Sequence, residues 1–102
     1  MIVHWTETAQ DHITAIFEYI ALDSLEYAKR IVDGLTKRTQ QIGDFPYSGR
    51  VVPEFEKEKV REVIEGPYRI IYFIKPQQIE ILAVLHGDRH ISPNCRAFLP
   101  ES

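Results

Sequence analysis

The chain has a single cysteine, Cys95, in 102 residues. No intrachain disulfide can form, which fits a reducing compartment. The four histidines, His4, His12, His86 and His90, do not stand at metal-ligand spacing from one another or from Cys95, so no metal is expected. A Gly-rich phosphate loop, a dinucleotide fingerprint and a Gly-x-Ser-x-Gly elbow are all missing, so no cofactor is expected either. No apolar run approaches the roughly 20 residues that span a bilayer. The segment Met1–Glu7 lacks the basic-then-apolar pattern of a secretory signal. These absences describe a soluble, cytoplasmic protein with no membrane association. The net charge of −3 argues against a general nucleic-acid binder, although it leaves room for a local basic patch.

What is present suffices for one domain, residues 1–102, with a loose tail over about 90–102. At 44% hydrophobic and 11% aromatic residues the chain can build a core without staples. Ile2 to Trp5 reads as a short strand. Thr6 is a helix N-cap with Glu7 in the first turn. Ala9, Ile13, Ile16, Phe17 and Ile20 then recur at helical spacing. Asp23-Ser24 breaks the helix, and Ser24 caps a second, along which Ala28, Ile31, Val32, Leu35 and Ile42 line one face. Gly34 inside this helix costs about 1 kcal/mol relative to alanine, and close packing of the two helices is the expected compensation. The short break predicts an antiparallel helical hairpin. After a loop over residues 51–55 come three β-type runs, 59–65, 68–74 and 78–85, joined at Gly66-Pro67 and Pro76. Such short connections predict an antiparallel meander. The fold class is therefore α+β: a short N-terminal strand and a helical hairpin packed on an antiparallel sheet.

Both faces of these last strands are apolar, yet arginines mark all three. Arg61, Arg69 and Arg89 fall where a meander would bring them together. Two explanations stand side by side. They form a cationic patch for phosphate or for acidic groups of a protein partner, or they pair with carboxylates such as Glu62, Glu65, Glu80 and Asp88. His86 and His90 flank Arg89 and have the chemistry of a general acid or base, or they hydrogen-bond locally. Tyr47, Tyr68 and Tyr72 read as core or rim aromatics, and Tyr68 beside Arg69 could stack on a base. Cys95, with only Arg96 beside it, reads as an incidental thiol.

Several marks occur together in order. They are Trp5, Ala9, Asp11, Tyr19-Ile20, Phe45-Pro46, Gly49-Arg50, Pro53-Glu54, Arg61-Glu62, Tyr68-Arg69-Ile70-Ile71-Tyr72 and His86-Gly87-x-Arg89. In this order the chain resembles the RelE/ParE toxin superfamily of toxin–antitoxin and plasmid stabilisation systems, and its ParE-like branch more than its RelE-like one. The resemblance implies a cytoplasmic toxin neutralised by a cognate antitoxin in a hetero-oligomer. In the ParE-like branch it implies a poison of DNA gyrase that blocks replication and is not itself an enzyme. The alternative is a RelE-like endoribonuclease that cuts mRNA on the ribosome. Arg69 then matches a phosphate-binding arginine and Arg89 a second, Arg61 lies near the family's strand lysines, and His86 or His90 would donate the proton. No tyrosine follows Arg89 as it does in many RelE-like enzymes, and the chain is acidic, which favours a protein target. Target or antitoxin contacts are then expected at Arg61, Arg69, Arg89 and Tyr68.

Overall fold

The computed structural model describes residues 1–87. Arg89, His90, Cys95 and the tail of about 90–102 lie outside the described residues. Strand β1 (Ile2–Trp5) leads into helix α1 (Glu7–Ala21) and helix α2 (Leu25–Asp44). A 3₁₀ turn (Pro46–Ser48) and a two-residue strand β2 (Arg50–Val51) follow. Strands β3 (Val60–Glu65), β4 (Tyr68–Ile74) and β5 (Gln78–His86) complete the fold.

The five strands lie in the order β1-β5-β4-β3-β2. β2 to β5 are antiparallel neighbours, as expected of a meander. β1 pairs with β5 in parallel, Ile2 opposite Gln78 and Trp5 opposite Ile81, so the sheet is mixed. The path from β1 to β5 runs through the hairpin α1-α2 and strands β2 to β4, which is ample length for a parallel pairing. At Gly66-Pro67 the turn is a two-residue hairpin, with Glu65 opposite Tyr68. Gly66 takes φ +58°, and Pro67 is confined to φ near −65°, a combination that fits only a type II′ turn.

Thr6 joins the first helix to the sheet. Its hydroxyl accepts from the Ala9 N–H at 3.2 Å as N-cap and donates to the Ile81 carbonyl at 2.7 Å. Its own N–H reaches the same carbonyl at 3.1 Å. Ile81 sits beside a register shift: Ile71 faces Ala83 while Tyr72 faces Ile81, so Leu82 is an inserted residue. The bulge explains the broken alternation of β5, because Leu82 and Ala83 both face away from the helices.

The sheet is buried on both sides. Toward the helices, Val63, Ile70, Tyr72, Ile74, Ile79, Ile81 and Val84 pack with Ala9, Leu35 and Ile42. On the other side, Ile71, Leu82, Ala83 and Val60 pack with Val52, and Phe55 of the β2–β3 connection leans on them. That connection covers the second face from within the chain. No helix among the described residues is long and apolar enough to cross a membrane.

Gly34 does not serve helix–helix packing. A Cβ placed there would meet only Glu65 Oε2, at 3.9 Å. The close approach occurs at Gly43, where a Cβ would lie 2.8 Å from Val3 Cγ2 and 2.9 Å from the Met1 carbonyl oxygen. Gly34→Ala should therefore raise stability by up to about 1 kcal/mol. Gly43→Ala should lower it by about 1–3 kcal/mol through overpacking against β1. Urea denaturation midpoints of the two variants should move in opposite directions.

Candidate functional site

Strand alternation decides where the arginines go. Arg61 lies opposite Tyr72, and Arg69 opposite Ile64. Tyr72 belongs to the helix-facing core and Ile71 to the other. Arg61 therefore sits on the helix side of the sheet, whereas Arg69 and Glu62 sit on the far side. The meander places the two arginines in adjacent strands but on opposite faces, so they do not form one patch.

Arg69 is 7% exposed and Glu62 1%. Arg69 Nε donates to Glu62 Oε1 at 2.8 Å, and its Nη2 makes a short bond to the same oxygen. Nη1 reaches Glu54 Oε2 at 3.3 Å, and Nη2 reaches Oε1 at 3.4 Å. The other Glu62 oxygen accepts from Arg50 Nε at 2.5 Å. Two arginines and two carboxylates thus form a neutral quartet. Burial alone would lower the Arg69 pKa, but the hydrogen bonds and charges of Glu54 and Glu62 outweigh it and raise it. Glu62 was among the carboxylates expected to pair. Glu54 and Arg50 were not, because the register of the 51–59 connection is not visible in a periodicity.

On the helix side, Arg61 is held by carbonyls. Its Nε donates to Glu58 O and its Nη1 to Gly49 O, each at 3.0 Å. Its guanidinium carbon lies 4.9 Å from the centre of the Tyr47 ring. Beneath it the Tyr72 hydroxyl donates to Pro46 O at 2.6 Å and accepts from Gly49 N at 3.0 Å. Burial pushes the Tyr72 pKa up, so this donor keeps its proton. Tyr72 is thus a core residue, while Tyr47 is half exposed.

Tyr68 and His86 meet edge to face at the opposite end of the sheet, with ring centroids 5.9 Å apart. They line a cleft of about 350 Å³ with His12, Ile16, Tyr19 and Val84. β1 pairs with β5 only as far as Ile81. Beyond that point the outer edge of β5 is taken up by α1, where His12 Nδ1 accepts from the Val84 N–H at 3.2 Å. His12 carried no functional expectation, and only the fold shows that it reaches a strand 72 residues away. Among the described residues no three His, Cys, Asp or Glu side chains are placed to hold a metal ion.

The family model for the ParE toxin of the type II toxin–antitoxin system, parDE, matches residues 3–91. The chain belongs to the ParE toxin family. A solved structure described as the chromosomal ParDE toxin–antitoxin system from P. aeruginosa aligns with a TM-score of 0.72 and 24% identity. The alignment covers 86% of this chain and 97% of that one. At this identity the likeness is one of fold. No curated protein matches the chain. In this ParE-family chain, Tyr68-Arg69 of the motif run carries a cleft residue followed by a buried ion-pair residue.

Arg69→Met should destabilise the fold by about 3 kcal/mol, because it strips Glu62 of one buried counter-charge. Adding Glu62→Gln should cost less than the sum of the two single changes, with a coupling of about 1–3 kcal/mol. A urea-denaturation double-mutant cycle measures this.

Proposed function

We propose that this chain is the toxin of a type II pair, that it inhibits DNA gyrase, and that a cognate antitoxin occupies the cleft between α1 and β5. The observation that carries the gyrase reading is the state of Arg69. A ribosome-dependent ribonuclease would need this arginine on the scissile phosphate. Here its donors go to Glu54 and Glu62 behind a 7% exposed surface. The net charge of −3 points the same way, toward a protein target.

The antitoxin reading is supported by exposed apolar side chains. Tyr19, Leu22, Leu25 and Tyr27 are 51–87% exposed and surround the tip of the helical hairpin. Tyr19 also lines the cleft that contains Tyr68 and His86. An amphipathic antitoxin helix laid into the cleft would bury this surface.

Purified chain at micromolar excess should abolish gyrase supercoiling or accumulate cleaved DNA, and antitoxin should reverse the effect. Unimpaired supercoiling together with cut mRNA on translating ribosomes would replace this reading with the ribonuclease one. Tyr19→Asp should leave the fold intact and weaken antitoxin binding by about 30-fold, the effect of losing a 2 kcal/mol anchor. Isothermal titration against the antitoxin reads that change.

A further inference from the structure

The corner where α2, the 3₁₀ turn and β3 meet concentrates cations in a chain that is acidic as a whole. Lys59 Nζ lies 5.3 Å from the centre of the Tyr47 ring and donates to the Tyr47 hydroxyl at 2.5 Å. The same ring carries Arg61 at 4.9 Å. Arg38 lies in the last two turns of α2, the end that meets the 3₁₀ turn, and donates to Gln41 at 3.1 Å. The ion pairs among the described residues engage Lys37, Arg50, Arg69 and Lys75, but not Arg38, Lys59 or Arg61. The Glu58 carboxylate lies close enough to Lys59 to favour its charge, without ion-pairing with it. The hydrogen bond to Tyr47 is the larger influence and raises the lysine pKa.

These cations keep donors to spare. An ammonium has three and Lys59 uses one on Tyr47; a guanidinium has five, and the carbonyls of Glu58 and Gly49 engage only two of the Arg61 nitrogens. Two exposed aromatic residues belong to this corner: Tyr47, in contact with the cations, and Phe45, two residues before it in the chain. Tyr47 is 50% exposed, and Phe45, the C-cap of α2, is 69% exposed. Neither ring belongs to either core cluster. Cations with spare donors next to exposed aromatic rings are what a nucleic-acid strand with unpaired bases requires. A duplex would hide its base faces from the rings, and an acidic peptide would satisfy the cations while leaving the rings unused.

We propose that Arg38, Lys59 and Arg61 with Phe45 and Tyr47 form a binding surface for a single-stranded phosphodiester chain, its phosphates on the cations and its bases stacked on the rings. The surface is non-catalytic. It lies on the helix side of the sheet, across from the Arg69 quartet. It extends beyond gyrase inhibition to direct contact with a nucleic-acid strand.

The test is fluorescence anisotropy of the full chain with a labelled oligothymidylate, an oligouridylate of the same length and a duplex. The single strands should bind more tightly than the duplex, and the two single strands show whether DNA or RNA is preferred. The slope of log affinity against log salt should be about −2 for three phosphate contacts. Lys59→Gln should reduce its size by about 0.7. Phe45→Ala should weaken binding about tenfold and leave the slope unchanged. Lys29→Gln, on the exposed side of α2, should change nothing, and circular dichroism should show every variant folded. The proposal is overturned by no binding at low salt, by a duplex that binds as tightly as the single strands, or by affinity unaffected in both Lys59→Gln and Phe45→Ala. Polyglutamate competing as well as the oligonucleotide would assign the surface to an acidic peptide instead. No gyrase is present, so this result stands apart from that of the supercoiling assay.

Discussion

The Glu62 carboxylate is the constraint around which the far side of the sheet is arranged. A carboxylate this buried needs counter-charge from more than one direction, or it would cost several kcal/mol. Arg69 supplies it from β4 and Arg50 from β2. Arg69 in turn brings in Glu54 from the connection that closes over the second core. One acidic side chain thereby sets the position of three segments. The same strand residue offers its carbonyl to the neighbourhood of Gly49, where an added Cβ would lie 2.5 Å from that oxygen and 2.5 Å from the Tyr72 hydroxyl. β2 can approach so closely only because Gly49 has no side chain.

Covering the sheet from both sides has a consequence for partners. The helices bury one face, and Val52 with Phe55 buries much of the other, so the faces of the sheet are not the large open apolar surface that two helices alone would leave. The exposed side chains of Tyr19, Leu22, Leu25 and Tyr27 gather at the tip of the hairpin, and Tyr19 extends the group into the α1–β5 cleft. Basic and aromatic groups gather at the other end, around Tyr47. The two surfaces differ in chemistry and suit different occupants.

Much of this architecture was legible from residue types. Thr6 and Ser24 cap their helices through side-chain oxygens, as polar residues ahead of periodic apolar ones should. The three β runs, the Gly66-Pro67 turn and the apolar character of both faces all appear. The strand β2 escaped notice because two residues carry no periodicity, and the parallel pairing of β1 because period-2 patterns do not encode direction. The close approach expected between the helices at Gly34 is found instead between α2 and the N-terminal strand at Gly43. Both lie in α2, and only the position of β1 separates an open site from a crowded one.

The arginines mark the boundary between the two kinds of information. Sequence determined that strands so apolar would hold cations needing partners, and it named Glu62 as one of them. It determined the fold class through helical and strand periodicity, which are local properties of the backbone. Tertiary structure decided that Arg61 and Arg69 face opposite ways, because facing depends on register and on which side the helices dock. It decided that Arg69 is enclosed by Glu54 and Glu62 while Arg61 rests on carbonyls and the Tyr47 ring. Whether a charge is buried in a pair or left for a ligand depends on residues far apart in the chain, and only folding brings those together.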